Sequence, residues 1–143
     1  MDLQKLSKDL SSIEQKVRQK AFNSAQINLP SLPHSAYKKI CYGLFFYYWH
    51  SDGLENQEKD AQAICSLLQP LKRSSFALFA KTFFEVMKKL WNRIDYHRTN
   101  KFLGLVKDLF KSIYKRIKSE NSQLLFDYWN RYLSTQLFTD LKG

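Results

Sequence analysis

The sequence predicts an all-α protein. Three observations carry that expectation. Apolar residues recur at spacings of three and four along almost the whole chain, the period of one helix face. Glycine and proline are scarce, four and three in 143 residues, too few for the many tight turns of a sheet-rich fold. No segment alternates apolar and polar residues over a strand's length. Eleven Phe, eight Tyr and three Trp supply a large core, since each ring buries roughly 150–250 Å² when enclosed.

Leu3, Leu6 and Leu10 form the first stripe. Ser11 and Ser12 stand three residues before Glu14 and Gln15, so either fits a capping box for a second helix whose face is Ile13, Val17 and Ala21. Asn28 to Pro33 interrupts the pattern, because Pro30 and Pro33 lack a backbone donor. Lys38 to Trp49 is apolar nearly all round and reads as a central helix covered on several sides. Ser51-Asp52-Gly53 ends it, with Gly53 suited to a left-handed cap. Ala61, Ile64, Cys65 and Leu68 make the next face, stopped by Pro70. Phe76, Phe79, Ala80, Phe83, Met87, Leu90, Trp91 and Ile94 make the cleanest one. Phe102, Val106, Leu109, Ile113 and Ile117 follow, then Leu125, Tyr128, Trp129, Tyr132 and Leu133. The count is about seven helices with short connections. Antiparallel pairs of such helices stack into an α-solenoid, HEAT- or armadillo-like, or close into a compact bundle. No composition shift divides the chain, so residues 1–143 read as one helical domain.

Net charge is +10, and it is localised. Residues 72–118 hold thirteen Lys or Arg against Glu85, Asp95 and Asp108, while the rest balances ten bases with ten acids. A solvated surface mixes signs; this segment does not, which points to a polyanionic partner. The longest apolar run, Cys41–Trp49, is nine residues broken by Gly43, against about 20 for a membrane span. No signal peptide opens the chain. Cys41 and Cys65 lack metal-like spacing and read as buried thiols, which fits a reducing compartment. A soluble intracellular protein is expected, with no membrane partner.

The sequence carries no recognisable catalytic motif. His34, His50 and His97 make no i, i+4 pair, so no metal site is expected. His50 reads as a packed or capping residue. No glycine-rich loop suits a phosphate, and no nucleophile setting surrounds a Ser or Cys. Pairs such as Asp52 with Glu55, or Glu58 with Asp60, read as helix-start residues that offset the dipole. The expectation is a non-enzyme with no cofactor and no small-molecule substrate. Lys107, Lys111, Lys115 and Lys118 recur at four, four and three, which puts them on one helical face beside the apolar stripe. Arg98 and Lys101 stand at the start of that helix, and Lys88, Lys89 and Arg93 at the end of the one before. These nine are the candidate RNA-binding residues, gathered about one helix–helix corner and holding phosphates without reading sequence. Tyr96, Tyr114 and Tyr128 read as completing the core, with base stacking as the other use of an exposed ring.

Two blocks resemble the ribosomal RNA-processing protein 1 family. The first is Gly43-Leu44-Phe45-Phe46-Tyr47-Tyr48-Trp49-His50-Ser51-Asp52, similar to that family's GLFY…W-x-S-D block. The second is Trp91-Asn92-Arg93-Ile94-Asp95-Tyr96-His97-Arg98 with Lys101-Phe102, similar to its W-N-x-I-D-x-x-R-x-x-K-F/Y pattern. Lys16-Val17-Arg18-Gln19-Lys20-Ala21 matches a third stretch, in the same order. Arg93 and Asn100 depart from the pattern, and residues 119–143 match least well. Within these blocks Trp49, Ser51, Asp52, Gly53, Trp91 and Asp95 read as structural: anchors at helix ends, a turn, and an ion pair with Arg98. The resemblance implies a reduced member of a family of nucleolar, hence nuclear, factors that assemble the large ribosomal subunit. It would bind precursor ribosomal RNA, the precursor large-subunit particle and other assembly factors, as a scaffold that supports processing without cutting. The rival reading is a protein–protein adaptor whose basic surface meets an acidic protein.

Overall fold

The computed structural model describes residues 1–134. Its elements are α1 (Leu3–Leu10), α2 (Gln15–Asn28), α3 (Tyr37–Trp49), α4 (Leu54–Leu67), α5 (Arg73–Leu90), α6 (Tyr96–Glu120) and α7 (Gln123–Tyr132), with short 3-10 turns between some of them and no strand among the described residues. The all-α expectation holds. The part of the least-matched stretch beyond residue 134 lies outside the described residues.

Helix α3 is the axis of the packing, because its apolar residues point in all directions. Ile40, Cys41, Leu44 and Phe45 are fully enclosed, and Tyr37, Tyr47 and Tyr48 nearly so. Helices α1 and α5 pack on α3, and α4 packs on α6. Alternate helices thus lie side by side, the layering of a helical stack. Gly43 allows the closest approach. A Cβ there would stand 2.8 Å from Cδ1 of Leu10 and 3.2 Å from the Ser7 Cα. One continuous core joins Leu6 and Leu10 at one end to Leu125, Trp129 and Tyr132 at the other.

Several boundaries differ from the sequence reading, each for a local reason. Helix α2 begins at Gln15, with Glu14 in the cap position and no side-chain cap bond. Ser12 instead folds its Oγ onto the Glu14 N–H at 3.1 Å, in the turn before the helix. No capping box forms, and Ile13, outside the helix, is 83% exposed. Ala21, Phe22, Ala25 and Leu29 supply the buried face. Gly53 has φ 83° and ψ 141° and starts α4 rather than ending α3, whose cap is His50. Its positive φ still favours glycine. Trp49 and Trp91 are half-buried; the fully enclosed tryptophan is Trp129. Tyr96, Tyr114 and Tyr128 are exposed, not core. Tyr114 and Tyr128 each adjoin the inward residue of their helix, Ile113 and Trp129, a phase difference that spacing alone does not resolve, and Tyr96 opens α6 at its exposed first turn.

Candidate nucleic-acid interface

The two sequence blocks meet in space at the junction of α3 with α6. A helix end leaves its last carbonyls without partners, and here a lysine and an arginine from α6 supply them. The Lys101 Nζ donates to the carbonyls of Trp49 at 2.7 Å and Ser51 at 2.8 Å. The Arg98 Nε donates to the same Trp49 carbonyl at 3.3 Å. Cations are favoured there by the helix dipole as well. The Arg98 guanidinium lies 4.5 Å from the centre of the Trp49 ring and pairs with Asp95. Asp95 in turn caps α6 by accepting from the Arg98 backbone N–H at 3.0 Å. Desolvation raises the Asp95 pKa and the Arg98 bonds lower it; the lowering prevails. Tyr48 returns a bond, its hydroxyl donating to the Lys101 carbonyl at 3.0 Å.

Lys101 is buried, at 8% exposure. Burial, then the nearby Arg98 charge, lowers its pKa to about 8. Its ammonium is directed into the protein. The adjoining cleft between α2, α3 and α4 is satisfied in the same internal way. The Ser51 hydroxyl donates to Asp60 at 2.6 Å, and the Tyr47 hydroxyl lies 3.4 Å from the other Asp60 oxygen. Asp60 therefore braces the turn after α3. The block residues Trp49, Ser51 and Asp95 thus serve the joint between helices. Asp52 and Gly53 are exposed in the turn between α3 and α4, and Trp91 packs partly buried at the end of α5.

A second joint of the same design was not visible in the sequence. Arg116 reaches from α6 to the end of α4, where its guanidinium donates to the carbonyls of Leu71 at 2.6 Å and Gln69 at 3.1 Å. Its Nε pairs with Glu120 at 2.8 Å, and Arg73 joins Glu120 at 3.1 Å. The Arg116 bond, with Arg73 beside it, holds the Glu120 carboxyl below the ordinary range. The excess charge of residues 72–118 is therefore not one surface. Arg98, Lys101 and Arg116 end other helices, Lys88 pairs with Glu85 at 3.2 Å, and Lys89 lies 5.9 Å from the Tyr42 ring centre. Arg93 is exposed.

The longest exposed row of this charge is a stripe on α6. Lys107, Lys111, Lys115 and Lys118 are all exposed. At 3.6 residues per turn they share about 80° of arc, and Arg98 lies roughly opposite Lys107. The stripe and the α3–α6 joint are therefore on different faces of the same helix, and the nine candidates do not gather at one corner. One acid, the half-buried Asp108, flanks the stripe on the side of Lys115. The stripe's other neighbours on that face of the helix are Asn100, Leu103, Gly104 and Tyr114, all exposed.

Beside the stripe runs an apolar groove between α6 and α7, about 330 Å³ in volume, lined by residues that include Ile113, Tyr114, Ile117, Phe126 and Trp129. Among the described residues no helix is long and apolar enough to cross a membrane. Cys41 and Cys65 are buried free thiols, and burial raises both pKa values, that of Cys65 to about 11.

A family model described as nucleolar protein, Nop52, matches residues 1–142. A ribosomal RNA processing protein 1 homolog from Dictyostelium discoideum is 34% identical over 86 residues. The aligned stretch is 59% of this chain and 17% of that protein.

Proposed function

The chain belongs to the Nop52 family of nucleolar proteins, and from that premise we propose that it is a non-catalytic scaffold in precursor particles of the large ribosomal subunit. It acts as one helical unit. Its core fixes the outer face of α6, and that face holds precursor ribosomal RNA by its phosphates. A second face is left to neighbouring assembly factors. The observation that carries the RNA contact is the stripe of Lys107, Lys111, Lys115 and Lys118, four exposed cations flanked by the single half-buried acid Asp108, along about 16 Å of rigid helix. Such a row neutralises a backbone without reading bases. Of the nine sequence candidates, these four, Lys89 and Arg93 are exposed, while Arg98 and Lys101 build the fold that presents the stripe.

Depletion tests the role in the cell. Loss of the protein is expected to leave unprocessed large-subunit precursor RNA, and a tagged copy is expected to concentrate in the nucleolus and crosslink to that RNA. Normal precursor levels after depletion, with no RNA crosslink, would overturn the scaffold reading. Binding to an acidic protein that survives the salt series applied to RNA would favour the adaptor.

A further inference from the structure

Resting on the RNA reading just given, we infer that the outer edge of α6 takes unpaired rather than duplex RNA, with Tyr114 as a platform on which a base stacks. Tyr114 is 61% exposed at the edge of the lysine stripe. Lys111 precedes it by three residues and Lys118 follows by four, so both are its neighbours on the helix surface. Around the helix, Tyr114 lies between the lysines on one side and Ile113 and Ile117 on the other. The same ring lines the apolar groove whose far wall carries Phe126, 42% exposed. A row of charge, an open aromatic ring and an apolar trough are therefore side by side.

That order suits one ligand chemistry. A single strand has phosphates along one edge and free base faces along the other. Proteins that bind such strands pair a positive track with aromatic rings. A duplex keeps its bases stacked inside and offers the lysines only phosphates, leaving Tyr114 and the groove unused. A strand laid with its backbone on Lys107, Lys111 and Lys118 turns its bases toward Tyr114 and Phe126. Four exposed lysines against the single half-buried Asp108 on the edge away from Tyr114 give the charge complementarity.

The test is fluorescence anisotropy with the full chain and a labelled 12-nucleotide RNA, unpaired or annealed to its complement, across a salt series. Three variants are compared: Tyr114→Ala, Tyr114→Phe, and the four stripe lysines changed to Gln. Thermal melts establish that each is folded. The single strand is expected to bind more tightly than the duplex. Tyr114→Ala is expected to weaken the single strand by about ten-fold, the scale of one lost base stack, and to leave duplex binding and both salt slopes as they were. Tyr114→Phe keeps the ring and is expected to bind like the parent. Equal binding of both RNA forms, or Tyr114→Ala binding the single strand as the parent does, overturns this inference. The RNA reading still stands in that case if the lysine variant weakens both forms. A parent that binds neither form with salt-dependent affinity overturns both, and leaves the groove to a protein or to another segment of the chain.

Discussion

Replacing Lys101 with Met removes the two hydrogen bonds that end α3 while keeping most of the side chain's apolar stem. The Trp49 and Ser51 carbonyls keep only the longer bonds from Arg98 at 3.3 Å and Gln57 at 3.4 Å; a hydrogen bond to a charged group is worth about 1.5–3 kcal/mol, and removing a desolvated charge offsets part of the loss. Lys101→Met is expected to lower stability by about 1–3 kcal/mol at pH 7, read from urea midpoints. The pH dependence has a defined sign. The folded pKa, about 8, is below that of an unfolded lysine, so the unfolded chain binds more protons between about 8 and 10.4. The wild type should therefore gain stability relative to the variant as pH rises through that window. A constant difference from pH 7 to 10 would mean that the amine is solvated. The tryptophans divide similarly. Trp129→Ala should cost about 3–5 kcal/mol as a fully enclosed ring, and Trp91→Ala clearly less; the reverse order of melting temperatures would contradict the packing described. The sequence marks Trp49 and Asp95 as structural through the family resemblance, suggests the Asp95–Arg98 pair, and reads Arg98 and Lys101 as RNA-binding candidates. It does not reveal that Lys101 is an internal cap, because that bond joins residues 50 apart. Nor does it separate Tyr114 from Ile113 beside it. Adjacent residues on a helix differ by about 100°, enough to put one in the core and one in solvent.

At the scale of helices, the stripes of α5 and α6 are readable because each is long and its apolar residues are large, and α3 is readable because it is apolar nearly all round. Ends were less so. The α2 stripe runs on in sequence to Ile13, but the backbone turns at Ser12 and the helix begins at Gln15. Arg116 is one more base of the charged segment in sequence, since nothing local shows that the end of α4 lies beneath it. Two glycines test the helix contacts. Gly43→Ala inserts a methyl against Leu10 and the Ser7 backbone and should cost about 1–3 kcal/mol, the range for overpacking. Gly104→Ala meets nothing within 4 Å and sits inside α6, so it should stabilise by about 0.5–1 kcal/mol. Urea denaturation of both variants checks the pair. Equal effects would mean that α1 does not press on α3 at Gly43.

Across the whole molecule, one basic segment performs two tasks that composition cannot separate. Arg98, Lys101 and Arg116 face inward and join helix ends, whereas Lys107, Lys111, Lys115 and Lys118 face outward. Fold class and the stripe were legible from spacing; the division of charge required the packing. The central claim is that the outward four carry the RNA contact, and the salt dependence of RNA affinity tests it most directly. Changing all four to Gln keeps helix propensity nearly constant and should alter folding by no more than about 0.5 kcal/mol per site. Affinity for precursor RNA should fall. The slope of log affinity against log salt should become shallower by up to about 0.7–0.9 per lost phosphate contact. Lys16→Gln with Lys20→Gln on α2 should change it less. A folded four-fold variant that keeps the parent's affinity and slope would contradict the claim and reduce the stripe to a solvated helix face.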